Sequence, residues 1–360
     1  MLKRTGFAAA GVLSGSRLVA KPAPARDGFY VPAETEPHER CFMQWPVSRA
    51  VYPDWMFLLE VQKTIARLAN SIVDFEPVVM LMDARYQARA KKMLSAQVKI
   101  WTVPTEDLWS RDSGPLFVVD GKGGLAIRSL NFNGWGDKQT HENDAKIAGR
   151  VAEILGLELL ATDLVGEPGG VDTDGAGTLI AHESSWVNRN RNSVSKAEIE
   201  ARLLAAYGAQ KLIWAPGLVG LDITDDHIDA LARFTVPGQV VIQMPDRIYA
   251  GDPWSKSTYK TLDVLQNATD AQGRKLGVEQ IADPLDIRMK ADDFVFAYVN
   301  YAVCNGAVFA AEFGDVPADE AARAKLSKLY PDREIVTLNV DAIGESGGGV
   351  HCATQSQPLV

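Results

Sequence analysis

Helical and strand patterns alternate along this chain from residue 50 onward, and this alternation limits the possible folds more than any other feature. A predicted amphipathic helix at 54–70 precedes an apolar strand at 77–81. The same order of helix and strand recurs at 84–94 and 98–103, 143–155 and 157–160, 194–207 and 211–214, 255–271 and 277–282, and 318–329 and 334–338. Repeated helix–strand order is typical of α/β proteins. We therefore predict an α/β architecture.

Several predicted strands come in neighbouring pairs, such as 117–119 with 125–127 and 231–234 with 240–242. No glycine-rich phosphate loop stands between a strand and a helix, which argues against a nucleotide-binding fold. Paired strands with one helix per unit indicate a repeated module, and about five units of roughly 67 residues would fill the chain after its first 25 residues. No linker rich in Pro, Gly and Ser divides the sequence, so we predict a single domain.

The charge of the chain indicates which classes of molecule it can bind. Its formal net charge is −9, and no cluster of Lys and Arg with interleaved aromatic residues occurs. An acidic protein of this kind repels nucleic acid and attracts cations. No apolar run has the length needed to span a bilayer. We therefore expect no nucleic-acid or membrane partner, and the acidity fits a small cationic substrate.

The first 25 residues differ from the rest of the chain. Lys3 and Arg4 are followed by the weakly apolar stretch 7–13 and by the small-residue pattern Ala23-Pro24-Ala25. This order is typical of an export signal, here similar to the twin-arginine type with Lys in place of one Arg. We predict a signal at 1–25 cleaved after Ala25, a mature domain at 26–360 and a periplasmic location. A frayed terminus on a cytoplasmic protein is the alternative.

The chain has three cysteines. No CxxC pair occurs, so a zinc or dithiol site is not expected. Cys41 and Cys304 have apolar neighbours and are predicted to be core thiols. Cys352 follows three consecutive glycines and His351, whose side chain would point to the opposite side if the segment is extended. A thiol presented beside glycines is a candidate nucleophile, although such a glycine run is also common in plain loops.

Two further polar segments can contribute to a site. His227 and Asp229 would lie on the same face of an extended strand, where one could carry a proton while the other binds a cation. Trp109 and Asp112 lie in a predicted strand-to-turn segment that ends at Gly114 and Pro115. Such a pair can stack on a planar cation and hydrogen-bond its edge. A structural histidine and a core tryptophan with a turn-capping Asp are the alternatives.

Taken together, these segments resemble the agmatine deiminase and bacterial peptidylarginine deiminase family of the guanidine-modifying superfamily. The matching motifs span nearly the whole chain: GFYVPAE (28–34), EPHE (36–39), WP (45–46), WSRDSGP (109–115), NFNGWG (131–136), DGAGT (174–178), NRN (190–192), YVN (298–300), FGD (313–315), PDR (331–333) and CATQ (352–355). The resemblance implies a five-module, pseudo-symmetric α/β propeller of the pentein type in one domain.

The resemblance also implies a hydrolase that converts agmatine to N-carbamoylputrescine and ammonia through a covalent amidino-cysteine, as in polyamine metabolism. Cys352 would be the nucleophile, His227 the general acid and base, and Asp112 and Asp229 the guanidinium ligands. Trp109, Glu167 and Asn300 would line the substrate. No metal, nucleotide or redox cofactor is implied. An exported peptidylarginine or arginine deiminase and a non-catalytic guanidine-binding propeller are alternatives, and assembly as a homo-oligomer is left open.

Overall fold

The computed structural model describes residues 27–291 and 293–360. The predicted export signal at 1–25 lies outside these residues. The strands of the described chain are β1 (His38–Gln44), β2 (Val78–Met82), β3 (Lys99–Thr102), β4 (Leu116–Val119), β5 (Leu125–Arg128), β6 (Leu159–Leu160), β7 (Val171–Thr173), β8 (Thr178–His182), β9 (Lys211–Ala215), β10 (Ala232–Val236), β11 (Gln239–Met244), β12 (Gly277–Ala282), β13 (Ala302–Cys304), β14 (Ala307–Glu312), β15 (Glu334–Asn339) and β16 (Gln355–Pro358).

The helices connect and cover these strands. They are α1 (Trp55–Ile72), α2 (Ala84–Ala90), α3 (Ser110–Ser113), α4 (Gly134–Asp137), α5 (Ile147–Leu155), α6 (Glu183–Trp186), α7 (Lys196–Tyr207), α8 (Pro253–Asn267), α9 (Val316–Leu329) and α10 (Asp341–Glu345). Three 3-10 turns lie at Asp144–Lys146, Pro168–Gly170 and Ile228–Ala230. No helix among the described residues has the length and apolar character needed to cross a lipid bilayer.

The strands of the described residues form five small sheets built on one plan. In four of them an antiparallel pair is followed by a helix and then by a parallel strand: β4-β5-β6, β7-β8-β9, β10-β11-β12 and β13-β14-β15. The helix is needed because a parallel neighbour requires a crossover connection. The predicted pairs 117–119 with 125–127 and 231–234 with 240–242 are confirmed as antiparallel ladders.

The fifth sheet is formed from the two ends of the described chain. Its order is β16-β1-β2-β3, in which β16 lies antiparallel to β1 and β2 lies parallel to it. The last strand therefore occupies the position that β4, β7, β10 and β13 hold in the other sheets. We call these strands the five lead strands. They also contact one another, because β4 touches β16 and β7 touches β10.

Local sequence explains where the main helices begin and end. Asp54 caps α1 by accepting a hydrogen bond from the Met56 amide, and Asp252 caps α8 in the same way. Ser195 caps α7, which ends at Gly208 in the left-handed conformation that glycine favours (φ 63°). The apolar face of α1 is buried, and all residues of β2 are buried as well. These elements agree with the helix and strand order predicted from the sequence.

Candidate active site

Five segments meet at one end of the lead strands, and each directly precedes one of them. They are α3 before β4, the turn Pro168–Gly170 before β7, the turn Ile228–Ala230 before β10, residues 298–300 before β13 and residues 348–352 before β16. Because the lead strands occupy equivalent positions in the sheets, their preceding segments come together. The predicted site residues all lie on or beside these segments.

The Cys352 thiol lies at the centre of this cluster and is buried. Its Sγ is 3.6 Å from Oδ2 of Asp229 and accepts a hydrogen bond from Nδ2 of Asn300 at 3.2 Å. Burial and the neighbouring carboxylates of Asp229 and Asp112 hold the pKa of the thiol well above its ordinary value. In the free protein this sulfur is therefore a neutral thiol.

The glycines before Cys352 allow other side chains to approach it closely. A Cβ on Gly348 would lie 2.4 Å from the Trp109 ring and 3.3 Å from Cβ of Cys352. A Cβ on Gly349 would lie 2.4 Å from Oδ1 of Asn300. Distances under 3 Å are essentially never seen for real Cβ atoms, so both positions require glycine. The glycine run thus brings the indole and the amide beside the sulfur.

The His227 ring lies between two carboxylates. Its Nε2 is 3.2 Å from Oε2 of Glu167, and its Nδ1 is 3.7 Å from Oδ1 of Asp112. Burial by itself would lower the pKa of His227, but the charges of Asp112, Glu167 and Asp229 outweigh it and raise the pKa to about 9. His227 is therefore an imidazolium at neutral pH and can donate a proton.

The two aspartates have different surroundings. Asp112 accepts hydrogen bonds from Nε1 of Trp135 at 2.9 Å and from the Gly169 amide at 3.3 Å. Burial raises the pKa of Asp112 to about 6, although the His227 charge opposes the rise. Burial would also raise the pKa of Asp229, but His351 lowers it below its usual range. Oδ1 of Asp229 is buried and contacts no donor among the described residues.

A chain of ion pairs holds the Glu167 carboxylate in place. Arg191 donates from Nε to both oxygens of Glu167 at 2.9 Å and from Nη1 to Asp225 at 2.7 Å. Lys138 also pairs with Asp225, at 2.7 Å. The Arg191 side chain is fully buried, so this paired geometry fixes the Glu167 carboxylate against His227.

Known proteins with similar sequences identify the family of this chain. A sequence model of the Porphyromonas-type peptidyl-arginine deiminase family matches residues 30–358. An agmatine deiminase of Stutzerimonas stutzeri is 34% identical over 361 residues, covering 93% of this chain and 97% of that protein. The chain belongs to the Porphyromonas-type peptidyl-arginine deiminase family. The expectation of a hydrolase that acts on amidine C–N bonds is confirmed by this membership.

Solved structures of the family have the same fold. An Enterococcus faecalis agmatine deiminase, catalysing its reaction, matches with a TM-score of 0.86 and 26% identity over 95% of this chain and 98% of that chain. A C. jejuni agmatine deiminase with substrate bound has a TM-score of 0.81 at 23% identity over 91% of this chain and 96% of that chain, a likeness of fold. The predicted α/β pentein architecture is confirmed.

Some local predictions for this deiminase chain were wrong. The segment 227–229 is not an extended strand: Ile228–Ala230 form a 3-10 turn, and Asp225 and Asp226 just before it have positive φ values of 62° and 70°. Asp112 lies in the short helix α3 and not in a strand-to-turn segment. Residues 350–353 form a turn, so His351 does not point away from the site but contacts Asp229, as Cys352 does.

Four residues of this cluster have no role that the sequence alone indicates. They are Glu34, Trp135, Arg191 and His351. The first three lie in the matching motifs GFYVPAE, NFNGWG and NRN, and His351 directly precedes the CATQ motif. The motifs could have indicated that these residues matter. Their partners could not be found without the structure, because each partner is distant in sequence.

Proposed function

We propose that this chain hydrolyses the guanidinium group of agmatine to a ureido product and ammonia through a covalent intermediate on Cys352. One observation carries the proposal. A Cβ on Gly169 would lie 2.5 Å from Asp112 and 3.3 Å from Asp229, and Cys352 is 3.6 Å from Asp229. Two carboxylates and a thiol thus meet at one buried position. This arrangement suits a flat cation whose carbon must meet sulfur.

Substrate binding follows from the shape of a guanidinium, which is planar, delocalised and always charged. Asp112 and the free Oδ1 of Asp229 can accept its N–H groups in charge-assisted hydrogen bonds. The Trp109 indole, beside Gly348, can cover the face of the cation. Binding in this way fixes the plane of the guanidinium against the sulfur, which lowers the barrier through orientation.

The substrate itself would activate the nucleophile. The thiol of Cys352 has a raised pKa because Asp229 and Asp112 repel a thiolate. A bound guanidinium places one positive charge against both carboxylates and offsets their repulsion of a thiolate, so the thiol loses its proton to solvent when the substrate is in place. The thiolate then attacks the guanidinium carbon and forms a tetrahedral adduct.

His227 would carry the proton transfers. As an imidazolium it donates its proton to the departing nitrogen, and ammonia leaves from the adduct. The amidino group remains on Cys352. The neutral His227 next takes a proton from water, which attacks the same carbon, and the thiolate leaves the ureido product. Glu167, held by Arg191, keeps the His227 ring in position and favours its charged form.

The cations around the site favour agmatine over free arginine, whose carboxylate needs a cationic partner. Lys138 and Arg191 are paired with Asp225, and Arg111 and Arg233 are paired with Glu34. Lys138, Arg191 and Arg233 are occupied in this way, whereas Nη2 of Arg111 lies 3.5 Å from Glu34 and has no hydrogen-bond partner among the described residues. A substrate carboxylate would have to compete with Glu34 for this nitrogen. The names of the S. stutzeri relative and the E. faecalis structure, both agmatine deiminases, support the same choice.

The experiment is a substrate panel with two cysteine variants. Ammonia release is measured with agmatine, arginine and a peptide ending in arginine for the wild type, Cys352→Ala and Cys304→Ala. We expect agmatine to be preferred, Cys352→Ala to lose turnover but still bind agmatine, and Cys304→Ala, a buried core thiol, to keep turnover. Turnover by Cys352→Ala would refute the nucleophile. Binding without turnover by the wild type would indicate a guanidine-binding protein. Preference for arginine or the peptide would indicate an arginine or peptidylarginine deiminase.

We also propose that residues 1–25 direct export before cleavage after Ala25. The basic start, the weakly apolar stretch and the small residues before the cleavage point support this. N-terminal sequencing of the protein purified from its source tests it. A mature protein that still begins at Met1 would contradict export.

A further inference from the structure

A second buried histidine touches the site and has no role in the proposed mechanism. His351 has its Nδ1 2.7 Å from Oδ2 of Asp229 and its Nε2 2.9 Å from Oε2 of Glu34. The histidine is 3% exposed, so water does not replace either contact. Ionised carboxylates can only accept hydrogen bonds. If both carboxylates are ionised, both ring nitrogens must donate, and the ring is an imidazolium.

The charges around His351 indicate that both carboxylates are ionised. Burial would raise the pKa of Glu34, but His351, Arg233 and Arg111 hold it well below its usual value. The pKa of Asp229 is likewise lowered. Arg233 pairs with Glu34 at 2.5 Å and with Asp172 at 2.8 Å, and Arg111 lies 3.5 Å from Glu34. Glu34, Asp229 and Asp172 thus face two arginines and one histidine.

The position of this ring matters because one oxygen of Asp229 is shared. Oδ2 of Asp229 meets Nδ1 of His351 at 2.7 Å and Sγ of Cys352 at 3.6 Å. A donor on Oδ2 fixes the rotation of the carboxylate and leaves Oδ1 free for the substrate. The same positive charge offsets the repulsion between Asp229 and a thiolate on Cys352.

We propose that His351 is a positioning residue, held by Glu34, whose two ring N–H groups orient Asp229 toward the guanidinium and favour the thiolate of Cys352. The claim that His351 orients Asp229 toward the guanidinium rests on the proposed function. The claim that His351 favours the thiolate of Cys352 does not rest on it and can be measured without a substrate.

The first test measures the rate of iodoacetamide alkylation at Cys352 against pH, with the site of modification identified by peptide mass spectrometry. In His351→Gln a neutral amide replaces the cation. We therefore expect the curve of alkylation rate against pH to move to higher pH by about 1 to 3 units. At a fixed lower pH the rate then falls about 10-fold or more, because each pH unit is a tenfold change in thiolate. A profile that coincides with the wild type would overturn the proposal.

His38→Gln is the matched control. His38 is also buried and has its Nδ1 3.1 Å from the carboxylate of Glu76, but it does not contact Asp229. We expect this variant to lose stability while its Cys352 alkylation profile stays that of the wild type. An equal shift in both variants would mean that the loss of any buried histidine–carboxylate contact changes the pKa of the Cys352 thiol. The charge at residue 351 would then not be the cause.

A second measurement uses the wild-type protein and does not depend on the folding of a variant. The chain has five histidines. With ¹⁵N-labelled histidine, ring spectra at pH 7 should show both nitrogens of His351 carrying a proton, in a signal that moves in Glu34→Gln. A bare ring nitrogen at His351 would overturn the proposal. The affinity for agmatine, measured in Cys352→Ala with and without His351→Gln, then tests whether His351 orients Asp229. We expect the double variant to bind agmatine about 10-fold more weakly. Equal affinity in the two variants would refute the role of His351 in orienting Asp229.

Discussion

Gly169→Ala tests most directly whether the site depends on its close packing. Gly169 has an ordinary negative-φ backbone, so alanine can adopt its conformation without strain. However, the added Cβ would lie 2.5 Å from Oδ1 of Asp112, 2.8 Å from Nδ1 of His227 and 3.3 Å from Oδ2 of Asp229. Ordinary van der Waals contact begins at 3.4 Å. Asp112 must therefore move by almost 1 Å, and His227 by a little less.

A displacement of this size is costly for catalysis, since a 1 Å misplacement can reduce the rate about 100-fold. We expect kcat/KM for agmatine to fall about 100-fold in Gly169→Ala, measured by ammonia release, with thermal unfolding measured in parallel. The control is Gly149→Ala in helix α5, where the new Cβ meets only Leu159 at 3.7 Å. The control should keep full activity and gain up to about 1 kcal/mol of stability from helix propensity. Gly169→Ala with near wild-type kcat/KM would refute the reasoning.

Three further predictions follow from the hydrogen bonds and charges of the site. In Trp135→Phe, Asp112 loses a 2.9 Å hydrogen bond worth about 1.5 to 3 kcal/mol for a charged acceptor; kcat/KM should fall about 10- to 100-fold. In Arg191→Lys, the forked contact with Glu167 is lost, and kcat should fall about 10-fold or more. The pKa of His227 is about 9 against a usual 6.5, so the native state holds an extra proton between these values. The stabilisation of the native state by this proton is fully present below pH 6.5. About 3 kcal/mol of the free energy of unfolding is lost as the pH rises through 9. Urea unfolding at several pH values should show this loss in the wild type and a smaller one in His227→Gln.

Trp186→Phe removes an indole hydrogen bond to the Gly170 carbonyl instead of one to a carboxylate, so its effect on kcat/KM should be the smaller. Arg191→Lys with wild-type kcat would mean that Glu167 needs no forked partner. Equal pH dependence of unfolding in the wild type and His227→Gln would mean that His227 carries no excess proton in the native state.

Local sequence patterns were sufficient for most of the secondary structure. The helix predicted at 54–70 is observed as α1, and the predicted strand pair 117–119 with 125–127 is observed as β4 and β5. Such elements can be predicted because periodic burial and capping residues act within a few residues. Cys41 and Cys304 are buried as expected from their apolar neighbours.

Local patterns failed where the backbone turns sharply. A strand at 227–229 was expected from alternation, but the two aspartates before it have positive φ, which short patterns do not reveal. The direction of His351 was also not predictable, because it depends on the turn at 350–353 and on a carboxylate that lies 122 residues away.

The sequence by itself determined the residue types of the chemistry, the order of helices and strands, and the family. Only the tertiary structure decided which segments meet and which groups are charged. Cys352 and Asp229 are separated by 123 residues, and they come together because each precedes a lead strand in one ring of sheets, closed by β16 against β1. The proton on His227 likewise depends on burial and on carboxylates from other segments, since electrostatic interactions act through space.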